Sequence, residues 1–420
     1  MSSSARQATP SWKLILAALS LFLAGSIWLS GLIDSLSRPS VNPVLGLQQQ
    51  ELSVLAEPEV PEPLRPVLLG QDPRQALRTA LETSTSIDLS QRQNELLLLL
   101  QGQIPPALDQ AVAPDDPLRR QLLCELRSSD PARCLDQAAA SAAFWRLAIS
   151  SLLPLVSVLI GTLLLVVQAW RLLRRQGKAW PAVQGPRLSL IDMVLLVAGG
   201  FVVISAVVVP LVALPLVKQL TSGLASPRRE AVSVLINYAM MALPSLLILW
   251  RQLKALPADQ LPAGGWLQWK LRPFPRAIAS ALSGWLMVTP VVMLTGWLLV
   301  RLVGDPSGSN PLLELVLASR DPLALVLLAI TAVVLAPLFE ETIFRGALLP
   351  VLAQRLGPMG GALLCGVLFA AAHISIGELA PLTVLGFGLA LLRLSSGRLV
   401  PCVLMHALWN AVTFMNLLLL

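Results

Sequence analysis

Glu340 and Glu341 stand together in the run Phe339-Glu340-Glu341-Thr342-Ile343-Phe344-Arg345, where a lipid-facing helix would carry no charge. Ionisable residues inside a membrane span are expensive and tend to be retained for a task. Downstream lie the only two histidines of the chain, His373 and His406, each with a companion four residues away. Phe369 precedes His373 by four, and Asn410 follows His406 by four. Residues at this spacing share one helix face, so Glu341 can pair with Arg345. Adjacent helical residues point about 100° apart, so both glutamates cannot face one pocket fully. Glu340 is therefore the freer carboxylate and the candidate general base. Phe369 can fix the ring of His373, while Asn410 can orient His406 or donate its amide to an oxyanion.

Two chemistries are open to this set. Glu340, His373 and His406 can supply three ligands to a divalent metal such as zinc, leaving a fourth position for water. Alternatively Glu340 activates water directly, and the histidines with Asn410 stabilise the developing charge. Both are hydrolytic and suit an amide bond. Taken singly, each residue has a plainer explanation: charges snorkelling at a helix end, a packed histidine, an interhelical hydrogen bond. Taken together they are harder to dismiss, because packing alone gives no reason for both histidines to occupy such pairs.

The elements that must position these groups are helices in a membrane. Hydrophobic residues make up 55% of the 420 and charged residues only 13%; a soluble domain carries roughly a quarter charged residues. The net charge of +7 is no nucleic-acid signal, since no basic run interleaves with aromatics and the basic residues flank apolar segments. The acids are uneven: 15 of the 24 Asp and Glu fall between Asp34 and Asp136, and Glu340-Glu341 is the only adjacent pair after that. The pattern predicts an all-α polytopic transmembrane helix bundle of about eight or nine spans with an N-terminal extramembrane segment.

Residues 1–33 form a membrane anchor, an apolar run from Leu14 to Ile33 preceded by Arg6 and Lys13. Residues 34–143 form the extramembrane segment. Helical stretches are expected at Arg74–Thr83 and Asn94–Gln101, and Pro43, Pro58, Pro61, Pro63 and Pro66 predict an irregular first third. Cys124 and Cys134 can form a disulfide there if it faces an oxidising compartment, whereas Cys365 and Cys402 sit in apolar segments as packing residues. A second span ends in the basic cluster Arg171, Arg174, Arg175 and Lys178, a cytoplasmic mark that places 34–143 on the non-cytoplasmic side. Further spans are expected near 193–213, 231–250, 277–300, 322–339, 360–376, 379–392 and 399–420. Counted this way, Glu340 falls near the end of its span unless the helix continues through Arg345 to about Leu356. His373 falls late and His406 early in their spans, at different depths.

Glu340-Glu341-x-x-x-Arg345, Phe369-x-x-x-His373 and His406-x-x-x-Asn410 resemble, in order, the three motifs of the CPBP family of type II CAAX prenyl endopeptidases, also called the Abi family. The resemblance covers residues 275–420; residues 144–274 hold transmembrane helices outside it. It implies an integral, multi-pass intramembrane endopeptidase acting on a membrane-associated, prenylated or hydrophobic peptide from the lipid bilayer. It further implies Glu340 as water activator, Glu341 and Arg345 as its structural partners, and His373, His406 and Asn410 completing the site. The family is described as metalloproteases, and its bacterial members include immunity and maturation proteins. The competing readings are a non-catalytic scaffold or bacteriocin self-immunity protein of the same fold, and a proton-relay transporter. Against the transporter, no internal repeat and no second deep carboxylate are visible in the sequence.

Overall fold

A computed structural model describes residues 10–70, 72–84, 90–109, 116–176, 179–304 and 308–420. Among them no strand occurs, and eight helices are long and apolar enough to cross a membrane. These are α1 (Ser11–Ser35), α2 (Gln137–Leu173), α3 (Leu190–Leu220), α4 (Arg228–Lys254), α5 (Phe274–Val303), α6 (Pro322–Ala371), α7 (Leu379–Ser396) and α8 (Val400–Leu419). The chain is thus an integral, multi-pass, all-α membrane protein. Of the charges used to assign sidedness, Arg6 and Lys178 lie outside the described residues.

The first compact unit comprises residues up to Ser40 and Ser157–Phe414. Its largest apolar cluster joins Ala24 of α1, Leu196 of α3, Leu249 of α4, Phe344 and Phe369 of α6, and Ala390 of α7. A second cluster joins Trp285 of α5, Leu389 of α7, and Cys402 and Met405 of α8. Lipid-facing side chains are exposed throughout these helices, as expected where the solvent is hydrocarbon rather than water.

The second unit comprises Val41–Val156 and Met415–Leu420. The expected helices appear as Pro73–Ser84 and Gln91–Leu100. The irregular first third does not: Asn42–Ala56 is a regular helix, followed by short turns at Glu57–Glu59 and Glu62–Leu64 and a helical turn at Arg65–Leu68. The prolines stand at the first positions of these elements, where a missing N–H breaks no helical bond. Leu52, Val54, Leu77, Leu81, Leu96, Leu118 and Leu147 close a core of their own. Cys124 and Cys134 are disulfide-bonded.

The expected spans at 322–339 and 360–376 are one helical run, α6. Pro337 does not end it; the helix continues to Leu356 and breaks only at Gly357, whose φ of 75° and ψ of 165° are not helical. At 1.5 Å per residue the part before the break is about 50 Å long, and Glu340 lies roughly 27 Å from its start. The carboxylates therefore sit mid-helix, not at an end.

Candidate active site

α6 begins with Asp321, whose side chain accepts from the N–H groups of Leu323 and Ala324, with Pro322 at the first helical position. Two π-helical stretches, Ile330–Leu335 and Thr342–Leu348, flank the α-helical turn Ala336–Glu341 that carries the glutamates. Such wide turns are frequent at functional sites because they leave carbonyls short of donors. Here the Ala336 N–H bonds Thr331 O. The next carbonyl, Ala332 O, would take its donor from Pro337, which has none. Asn410 Nδ2 of α8 donates to Ala332 O at 2.7 Å instead. Asn410 thus holds α8 to α6, and no hydrogen bond between its side chain and an imidazole is present among the described residues.

Glu341 and Arg345 are fully buried and paired, Nη1 to Oε1 at 2.8 Å, as their spacing predicts. Arg345 Nη2 donates to Gly386 O of α7 at 2.9 Å, and the guanidinium carbon stacks 4.4 Å from the Phe369 ring centroid. His406, 3% exposed, places Nδ1 2.9 Å from the same Glu341 Oε1. An ionised carboxylate only accepts, so Nδ1 carries the hydrogen and Nε2 is left as a lone pair in the neutral ring.

His373 is not inside a helix. α6 ends at Ala371, and the last backbone bonds run from Ala372 N to Leu368 O, from His373 N to Ala370 O and from Ile374 N to Ala371 O. These skip Phe369 O, which receives His373 Nδ1 at 2.9 Å. A carbonyl also only accepts, so His373 likewise presents Nε2 as a lone pair. The Phe369 ring lies edge-on to both imidazoles, with centroids 4.8 Å from His373 and 5.6 Å from His406.

Both Nε2 atoms converge on one oxygen. Glu340 Oε2 is 4.0 Å from His373 Nε2 and 3.9 Å from His406 Nε2. It is buried without a hydrogen-bond partner. The other oxygen, Oε1, accepts from the Tyr238 hydroxyl of α4 at 3.1 Å. Sequence reasoning missed Tyr238, although a signal existed: it is the only tyrosine in the chain and lies within a membrane span. The structure therefore brings together Glu340, Glu341, Arg345, His373 and His406, with Asn410 one contact away.

Three lone-pair atoms facing each other repel unless a hydrogen donor or a cation lies between them. A water donating to Oε2 and one Nε2 meets that need across 4 Å. The donor set also suits a divalent metal in its chemistry, because each imidazole is anchored at Nδ1 by a carboxylate or a carbonyl, the usual support of a metal-bound histidine. Its spacing is wider than a ligand cage: two ligands at about 2.1 Å and a tetrahedral angle stand about 3.4 Å apart. Among the described residues no three His, Cys, Asp or Glu side chains are gathered tightly enough to form one.

The family model "Type II CAAX prenyl endopeptidase Rce1-like" matches residues 322–412, and one for a domain of unknown function (DUF8675) matches residues 42–111. Over 128 residues, 29% of this chain, the sequence is 34% identical to an uncharacterized 24.3 kDa protein of Escherichia coli. The chain spans 58% of that relative's length. No solved structure matches. The segment 322–412, which contains Glu340, both histidines and Asn410, belongs to the CPBP family of type II CAAX prenyl endopeptidases.

Proposed function

We propose that this protein is an intramembrane endopeptidase in which Glu340 activates water to hydrolyse a peptide bond of a membrane-associated, hydrophobic or prenylated substrate. The observation that carries this is the unpartnered Glu340 Oε2 facing two imidazole lone pairs. A water in that gap gives one hydrogen to Oε2 and the other to an Nε2. Glu340 takes the first proton as the water oxygen bonds to the substrate carbonyl carbon, and the carbonyl π pair moves to its oxygen. Collapse of this intermediate breaks the C–N bond, and the proton held by Glu340 passes to the departing amine. Tyr238 holds Oε1 so that Oε2 keeps its aim. Glu341 fixes His406, and Arg345 compensates the charge of Glu341. Asn410 acts as a positioning residue through Ala332.

If a divalent metal shares the site, Glu340, His373 and His406 would hold it after closing from their present spacing, and it would polarise the carbonyl and make water more acidic. The segment 34–143 lies on the non-cytoplasmic side in this reading, which the basic end of α2 and the Cys124–Cys134 bond support.

The test is cleavage of a membrane-anchored reporter peptide by the purified chain in lipid nanodiscs. Glu340→Gln and His373→Ala should each lower turnover by about a hundredfold or more while inserting normally. Full activity in both variants would sink the proposal. A scaffold of the same fold would show no cleavage in any form, and E340Q would be silent in a cellular phenotype. Metal analysis of the same preparation, with activity after chelation, decides whether an ion shares the site.

A further inference from the structure

The turn carrying His373 has no helix of its own to hold it: the chain leaves α6 at Ala371 and enters α7 at Leu379. Ile374, the next residue, has φ of 50°, in the left-handed region. For a β-branched residue this is a strained outlier that persists only where the surroundings over-determine it. Those surroundings are the end of α1. Arg38 Nη2 donates to Ile374 O at 2.5 Å and to Gly31 O at 3.5 Å. Ile376 N–H donates to Ser35 Oγ at 3.1 Å. The Ile374 side chain seats against Gly31 so closely that a Cβ on that glycine would meet Ile374 Cγ2. A second brace comes from residues 308–310: the Ser375 hydroxyl donates to Gly308 O at 2.5 Å, and Asn310 N–H donates to Glu378 Oε1 at 3.2 Å. Both Ser35 and Ser375 are buried.

None of these bracing residues on α1 or at 308–310 belongs to the family segment. We propose that Gly31–Arg38, the last turn of α1 and the three residues after it, is a positioning device for His373. Gly31 admits Ile374, Arg38 and Ser35 lock the backbone on either side, and the imidazole next to Ile374 is thereby aimed at Glu340. The anchor helix is then part of the active-site build and not merely a tether. The effect on catalysis rests on the peptidase reading; the effect on His373 does not.

The chain's having only two histidines makes the test direct. The full chain, labelled with 13C,15N-histidine in nanodiscs, gives ring signals from His373 and His406 alone. Gly31→Val should shift the His373 signals and leave those of His406 in place. Turnover should fall by about ten- to a hundredfold with KM unchanged, as for a misplacement near 1 Å. Gly31→Ala should do the same to a lesser degree, and Arg38→Gln should move His373 without adding bulk. Gly25→Val on the same helix, where a Cβ meets nothing within 4 Å, should change neither signal nor turnover. The proposal is overturned if His373 is unmoved in both G31V and R38Q, or if both histidines shift together, since that marks general loosening. Movement of His373 with full cleavage would uphold the positioning and count against the catalytic reading instead.

Discussion

Each imidazole of the site is committed at Nδ1, to a carboxylate in His406 and to a helix-terminal carbonyl in His373. Ring orientation therefore does not depend on substrate. Glu340 is held as firmly through Oε1 by Tyr238. A hydrogen bond to a charged group contributes about 1.5–3 kcal/mol, and each 1.36 kcal/mol is tenfold in rate. Tyr238→Phe keeps the ring that packs edge-on against Phe339 and deletes only the donor. It should lower turnover about tenfold or more at nearly unchanged KM, with a modest fall in melting temperature from the lost bond, in steady-state assays paired with a melting curve. Unchanged turnover would mean that Glu340 keeps its aim without the phenol. At this scale the sequence was informative where chemistry demanded rare residues: two histidines, one acidic pair, i,i+4 spacing. It was silent where a partner came from a distant helix, as Tyr238 does, or from a backbone atom, as Phe369 O and Ala332 O do.

At the scale of elements, depth was the difficulty in the sequence, and a helix longer than a bilayer resolves it. Hydropathy marks where an apolar run pauses, so Glu340 to Arg345 looked like an end; continuation to Leu356 makes them interior, and the kink falls at Gly357. The π-helical turns on both sides of Glu340 had no legible signature, because nothing in ITAVVL or TIFRGAL forbids an ordinary α-helix. The crossing of α6 and α7 is closer than any span count implies. A Cβ on Gly366 would stand 2.8 Å from Phe387 N, and one on Gly386 would stand 2.9 Å from Gly366 Cα. Small residues at a membrane helix crossing let backbones approach in this way. That approach puts Gly386 O within reach of Arg345. Gly386→Ala should push the helices apart, cost about 1–3 kcal/mol as overpacking, and weaken the acceptor of a buried guanidinium. A lower melting temperature and reduced cleavage are expected together; normal melting would show that the crossing can yield without loss.

For the whole molecule, the sequence separated a polar N-terminal part from a membrane part on composition alone, but its prolines and the shortness of its apolar runs hid a folded helical unit. Arginines crosslink that unit. Arg74 grips Glu125 with two bonds of 2.7 and 3.0 Å, and Arg92 grips Glu51 with two of 2.9 and 2.7 Å. Burial pushes the Glu125 carboxyl up, but the hydrogen bonds from Arg74 and Gln121 and the charge of Arg74 more than offset this and hold it below the usual carboxylate range. A carboxyl lowered on folding contributes stability that is present above its unfolded value of about 4.3. That contribution is lost as pH falls through the lower folded value. Arg74→Met keeps much of the apolar stem and removes the charge. Hydrogen exchange in the helices Pro73–Ser84 and Pro117–Arg127, corrected for intrinsic rates, should be faster in R74M than in the unmodified chain at pH 7. The gap should close at a pH low enough to protonate Glu125 in the folded chain, where it has no charge for Arg74 to hold. A gap of equal size at both pH values would assign the loss to packing and remove the ion pair as its cause.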